Sequence, residues 1–255
     1  MKDYKIRIII ALFVVFSLFI SQMAQAQMTA KQIIEKMDDQ MRGESSYSEM
    51  TMTTIRARYS REVSMKIWAK GEDYSLILIT SPARDMGTAY LKRGKEIWNY
   101  VPNIDRMIKL PPSMMSQSWM GSDFSNDDLV RESSSINDYK HTILREVNYQ
   151  GRNCWVLELV PKPSSAIVFG KVLIWVDKEH FVQLKVENYD EDGALVSTIL
   201  FKDLKNLGGK MIPATMEMIP ADKPKQKTTL TYNVLRFNVK IEDSFFSVQN
   251  LKNVR

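Results

Sequence analysis

The strongest constraint on this chain is a rhythm. From Tyr47 onward, stretches of about six to ten residues carry strand signals, with turn residues between them. Met50 and Met52 alternate with Thr51 and Thr53, and Val63, Met65 and Ile67 alternate with Glu62, Ser64 and Lys66. Within 73–80, Leu76, Ile77, Leu78 and Ile79 are consecutive, the pattern of a strand buried on both faces. Further strands are expected at 88–91, 97–101, 106–110, 142–147, 154–160, 170–176, 182–189, 196–204, 211–219 and 228–237, with another at 245–248. Turn residues fall between them, at Arg93-Gly94, Pro102-Asn103, Gln150-Gly151 and Gly208-Gly209. Asp192-Gly193, between Tyr189 and Val196, is a hairpin signal. Links this short give an antiparallel meander, because parallel neighbours need long crossovers.

So many strands in one sheet tend to curl. The expected fold is therefore mainly β with few helices. A strongly curved antiparallel sheet would form an unclosed half β-barrel, with an N-terminal helix and a helical or loop lid over its concave face. The helix is expected at about 29–42. Thr29 and Gln32 form a capping box, Ile33, Ile34, Met37 and Met41 share one face, and Gly43 can end it. Ser125 and Asp128 cap a second, short helix at about 126–132. No repeat, low-complexity segment or linker divides the chain, so 27–255 reads as one domain.

Residues 1–26 read as an address. Lys2, Lys5 and Arg7 precede an apolar run, Ile8 to Ile20, broken only by Ser17, and Ala24-Gln25-Ala26 offers a cleavage site. This is the secretory signal pattern, with cleavage after Ala26, and the run is short for a membrane span. The alternative is an uncleaved anchor. The single cysteine, Cys154, excludes an intramolecular disulfide and reads as a small buried hydrophobe. The formal charge of +5 comes without a basic cluster interleaved with aromatics, so no nucleic-acid partner is expected. A transient contact with an anionic membrane surface fits that mild charge.

Signals for catalysis are sparse. His141 and His180 stand apart from each other and from Cys154, so no metal site is expected. Neither a glycine-rich phosphate loop nor a nucleophile elbow occurs. Ser122 beside Asp123 is the one nucleophile next to a carboxylate. It reads as a turn with an Asx-type hydrogen bond, the other reading being a serine hydrolase.

The segment after Leu110 is greasy where a connection is normally polar. Met114, Met115, Trp119, Met120 and Phe124 lie between Pro112 and the second helix cap. These side chains either plug the protein's own core or lid a cavity for a hydrophobic ligand. The chain has 16 Met, several in adjacent or alternating pairs, and Met suits surfaces that adapt to varied apolar shapes. The candidate ligand contacts are Trp98, Tyr100, Met107, Met114, Met115, Trp119, Met120 and Phe124. The strand positions Met65, Leu78, Trp175, Met216 and Met218 join them.

Several segments together resemble a known family: Gly87-Thr88-Ala89-Tyr90-Leu91, Trp98-Asn99-Tyr100-Val101-Pro102, and Tyr189-Asp190-Glu191-Asp192-Gly193. Ile212-Pro213-Ala214-Thr215-Met216-Glu217-Met218 adds to them, and the most specific is the run from Ser118 to Phe124 with Asp127-Asp128-Leu129. The sequence is similar over the whole mature chain to the outer membrane lipoprotein-sorting proteins, the LolA/LolB-like periplasmic carrier superfamily. That resemblance implies an unclosed β-barrel with an apolar cavity for acyl chains, no catalysis and no cofactor. It implies a Gram-negative periplasmic location and a carrier that shuttles a lipid or lipoprotein acyl chain toward the outer membrane. For this branch it also implies a partner among RND-type inner-membrane exporters. A non-catalytic accessory protein of such an exporter, using the Met/Trp loop as an interface, is the alternative. The family's carrier also has a buried arginine that contacts its lid. Arg56, Arg58 and Arg61 lie in the comparable strands, and the sequence assigns none of them that role.

Overall fold

The computed structural model describes residues 28–255 apart from 95, 127, 129–134, 164, 166 and 168. The signal-peptide expectation lies outside the described residues, as does most of the second expected helix. Its cap is present: Asp128 accepts from the Ser125 amide at 2.8 Å, and the Ser125 hydroxyl accepts from the Asp128 amide at 3.1 Å.

Helix α1 (Ala30–Arg42) forms where the apolar spacing places it. Its capping box is closed in both directions, with Thr29 accepting from the Gln32 amide and Gln32 accepting from the Thr29 amide. Gly43 follows with a φ of 66°, where a side chain would be strained. Thirteen strands then form one antiparallel sheet among the described residues. They are β1 (Ser45–Ile55), β2 (Ser60–Lys70), β3 (Tyr74–Ser81), β4 (Ala89–Arg93), β5 (Glu96–Val101) and β6 (Arg106–Lys109). After the loop come β7 (Tyr139–Tyr149), β8 (Arg152–Pro161), β9 (Lys171–Asp177), β10 (Gln183–Tyr189), β11 (Leu195–Leu207), β12 (Lys210–Pro220) and β13 (Lys227–Phe237). Successive strands pair as a meander within β1–β6 and within β7–β13, but the meander is broken between β6 and β7, which lie at opposite edges, and the two runs are joined by β1 pairing with β13. Asp192-Gly193 makes its hairpin, with Gly193 at φ 83°. The segment at 245–248 is not a strand. It belongs to 3₁₀ turns at Asp243–Phe245 and Val248–Lys252.

The strongly curved half-barrel is corrected by the topology. The sheet runs in the order β6-β5-β4-β3-β2-β1-β13-β12-β11-β10-β9-β8-β7, with β6 and β7 as free edges, and it is neither closed nor strongly curled. A sheet rolls up to bury its own apolar face. Here other elements bury that face. Register puts Met50, Met52, Val63, Met65, Ile77 and Ile79 on the same face as Leu230, Met216, Phe201, Val186, Ile174 and Leu157. Over the β7–β11 half lies α1, with Ile33 and Ile34 fully buried. Over the β1–β5 half lies the loop between β6 and β7, with Trp119 and Phe124 buried. The two cores meet at Ile199 and Met216.

The opposite face is covered only in part. Phe246, Leu251 and Val254, from the C-terminal turns, pack on Leu76, Leu78, Ala89 and Leu91. Strand β3 is thus buried on both sides, as its unbroken apolar run requires. Cys154 is a buried free thiol, and burial pushes its pKa up to about 11, which makes it inert.

Candidate functional site

The loop between β6 and β7 is the feature that core building alone does not demand. Its backbone makes a tight knot. The Trp119 amide donates to the Phe124 carbonyl at 2.8 Å, and the Ser122 amide to the Trp119 carbonyl at 2.9 Å. Met120 and Gly121 both take positive φ, 51° and 77°, which aims Trp119 and Phe124 at the sheet. Both rings pack on the Met-rich surface made by Met50, Met52, Met65 and Met218. Trp119 also meets Tyr90 edge-on, with ring centroids 5.6 Å apart. Burial, then the nearby Asp85 carboxylate, pushes the Tyr90 phenol up to about 12.

A loop lacks the internal hydrogen bonds of a helix, so its buried polar groups need partners elsewhere. Two arginines at the β1–β2 hairpin supply them. Arg56 donates to the Asp123 carboxylate at 2.9 Å and to the Gly121 carbonyl at 3.0 Å. Arg61 donates to the Met120 carbonyl at 2.8 Å and to Asp85 at 2.8 Å. Thr228, at the start of β13, donates its hydroxyl to Asp123 at 2.7 Å and accepts the Asp123 amide at 3.0 Å. The loop is an apolar plug with a polar tie at its rim.

Seven of the sequence-predicted contacts meet here. Met65, Trp119, Phe124 and Met218 are buried in this core, and Met115, Met120 and Met216 pack against it. Four others lie on the opposite face. Leu78, Trp98, Tyr100 and Met107 belong to the core under the C-terminal turns. Trp175 is also on that opposite face, with the Lys185 ammonium 4.5 Å from its ring centre. Met114 is half-buried and contributes its carbonyl to Asn126. The sequence therefore names a set that the sheet divides between two sides.

The sequence puts Arg56, Arg58 and Arg61 forward for a lid contact without choosing among them, and Arg56 and Arg61 make it. It misses their partners, because Arg56 meets Asp123 across 67 positions and Thr228 meets it across 105. Ser122 is buried and its hydroxyl accepts from the Phe124 amide at 3.2 Å, while Asp123 is held by Arg56 and Thr228. That is a turn, closed by the Ser122 hydroxyl and not by the expected Asx-type bond, and it is not a nucleophile with a base. Two hollows, of about 570 and about 590 Å³, open elsewhere. One is bordered by Trp68 and Phe245, the other by Arg152 and Asp177, and neither touches the plug.

A family model described as "-like: Uncharacterized protein" matches residues 71–253, and the chain belongs to that family. A comparison with curated proteins finds no match. Among solved structures, the chain is similar to a DUF1329 family protein from Desulfovibrio piger, at 26% identity and a TM-score of 0.80, over 87% of this chain and 97% of that one. It is similar to a putative outer membrane lipoprotein-sorting protein domain from Vibrio parahaemolyticus, at 28% identity and a TM-score of 0.78, over 88% and 98%. It is also similar to a LolA superfamily protein from Nitrosomonas europaea, at 26% identity and a TM-score of 0.73, over 87% and 98%. The fold is that of the LolA-like superfamily, and these likenesses support a general periplasmic transport or accessory role. They are consistent with a non-enzymatic protein.

Proposed function

We propose that this protein is a periplasmic carrier that binds a lipid or lipoprotein acyl chain beneath the Trp119–Phe124 plug and carries it toward the outer membrane. The supporting observation is the plug's construction: two large apolar rings seated on a methionine surface and held at the rim by arginine hydrogen bonds. The acyl chain takes the place of the rings. Burying an acyl chain of about 16 carbons recovers roughly 12 kcal/mol, and withdrawing two aromatic rings gives up roughly 3–6 kcal/mol. Leaving a bilayer forfeits a similar return for the chain, so loading and unloading stay near balance. Methionines re-pack around the new guest without a fixed shape.

Mass spectrometry of protein purified gently from its native compartment tests this reading. The expected result is bound lipid, together with binding of a fluorescent fatty acid. Freedom from lipid and no response to the probe overturn it. Loosening the tie with Arg61→Met is expected to raise acyl-probe affinity, because a larger fraction of molecules then has the plug withdrawn.

A second reading is favoured by one observation. Trp119 and Phe124 fill the space over β1–β5. On that reading the chain is an accessory protein of an RND-type exporter or another envelope complex, and the loop only completes the core. Crosslinking from the loop to a partner, with no lipid bound, distinguishes it.

A further inference from the structure

The most exposed large hydrophobic side chains gather in one place. Tyr59, Met86 and Ile104 are the three most exposed among the described residues, at 56%, 55% and 59%. Each sits on a different connection: the β1–β2 turn, the β3–β4 loop and the β5–β6 turn. In a meander, alternate connections share one end of the sheet. The pairings Ile55↔Ser60, Ser64↔Ser81 and Ala89↔Tyr100 bring all three to the same end. Contacts join them side by side. Arg61, from the foot of β2, bonds Asp85 in the β3–β4 loop. Asn103, in the β5–β6 turn, donates to the Arg84 carbonyl at 3.4 Å, and Pro102 lies beside Gly87.

Charge at these tips has one dominant sign. Arg58 neighbours Tyr59, Arg84 neighbours Met86 and Arg106 neighbours Ile104, and all three arginines are exposed. Lys223 and Lys225 are exposed on the β12–β13 turn at the same end. The acids among them are matched, Asp85 by Arg61 and Arg84, Asp105 by Lys252 and Asp222 by Lys223, so that the surplus positive charge falls to Arg58, Arg106 and Lys225. The β10–β11 turn, with Asp190, Glu191 and Asp192, is acidic and bounds the surface on its far side.

We infer that this end of the sheet is a docking surface for an anionic lipid bilayer. The apolar groups stand on separate turn tips, each with a cation beside it. A folded partner would need a matching pit for each tip, whereas the fluid headgroup region accepts separated apolar groups and holds arginine at phosphate depth. Docking this way sets the plug's tie against the membrane, since Arg56 and Arg61 rise from the same hairpin as Tyr59. The inference concerns a surface and stands whether or not the plug admits an acyl chain.

Co-sedimentation of the mature protein with vesicles tests it. Vesicles of phosphatidylcholine with 30% phosphatidylglycerol, roughly the anionic content that gives a substantial surface potential, are compared with phosphatidylcholine alone. Binding is expected to the anionic vesicles only, and to fall at least about fivefold when salt rises from ~0.1 to ~0.5 M, as screening requires. The double substitution Met86→Asp/Ile104→Asp is expected to weaken binding at least about tenfold. Arg58→Glu/Arg106→Glu should do the same by charge alone. Leu144→Asp, on the β7 edge, serves as control and is expected to bind as the wild type does. Acyl-probe binding in vesicle-free solution is measured on the same variants, and loss of vesicle binding with the probe response intact supports docking. Wild-type protein that ignores anionic vesicles, tip variants that bind them as tightly as wild type, or equal binding to neutral vesicles overturns the inference. So does self-association through these tips without vesicle binding.

Discussion

Helix α1 and the plug cover the two halves of the same sheet face, yet they are secured differently. The helix closes its own backbone hydrogen bonds and presents a continuous apolar stripe, Ile33, Ile34 and Met37. Its hold on β7–β11 is apolar contact along its length, and hydrogen bonds with Lys210 and Met211 of β12 fix only its C-terminal turn. The plug buries fewer but larger groups, Trp119 and Phe124, and depends on Arg56, Arg61 and Thr228 for its polar closure. A cover held by many small contacts is a wall. A cover held by two rings and a few directional bonds is the one that the proposed carrier role would detach as a unit. The difference teaches that one apolar face can be covered in two ways, and the proposed function lies under the second.

The largest break in this contrast comes from the tie. Arg56 and Asp123 are largely buried, with side-chain exposures of 14% and 8%. Arg56→Met strands the Asp123 carboxylate, and a stability loss of about 3–5 kcal/mol is expected in urea unfolding. Adding Asp123→Asn should restore much of it. A loss below about 1 kcal/mol would mean that the rings alone hold the plug.

Next is the wall. Ile34→Ala should cost about 2–4 kcal/mol through lost burial and a cavity that sheet and helix cannot both close. Hydrogen exchange then sharpens the difference. Amides of 118–124 should exchange faster than those of 34–42, because releasing the plug does not require unfolding the sheet. Equal protection in the two segments would erase the distinction. A smaller effect is expected at the helix start, where Thr29→Ala removes one half of the capping box at about 1 kcal/mol.

The smallest effect lies on the opposite face, away from both covers. Burial raises the Glu217 carboxyl, but hydrogen bonds from Lys227 and Lys202 outweigh it and hold it below the usual carboxylate range. A lowered pKa contributes stability above the unfolded-state value, and that contribution is lost as pH falls through the folded-state value. Glu217→Gln should therefore cost about 0.5 kcal/mol at neutral pH, and its difference from wild type should vanish at acid pH. A difference that persists below the carboxylate range would assign it to packing.

Much of this architecture was legible in the sequence, and the illegible part has a physical cause. Alternation at Met50–Thr53 and Val63–Ile67, the capping box at Thr29 and the turn at Asp192-Gly193 are local facts, and local chemistry decides them. Curl is not local. It depends on what covers the sheet, and two covers made the expected half-barrel unnecessary. The division of the candidate contacts follows from the same blindness. Trp98 and Trp119 lie close in sequence, but strand parity sends Trp98 to the opposite face while the loop returns Trp119 to the first. The expected strand at 245–248 failed because a short apolar run can equally be a packed turn, and here it is one.

Strand β1 lies between β2 and β13, and Leu251 and Val254 complete the core behind β3 and β4. The opening strands therefore leave the ribosome well before β13 and the turns that back them, so joining β1 to β13 is a long-range step whose loop-closure cost slows assembly.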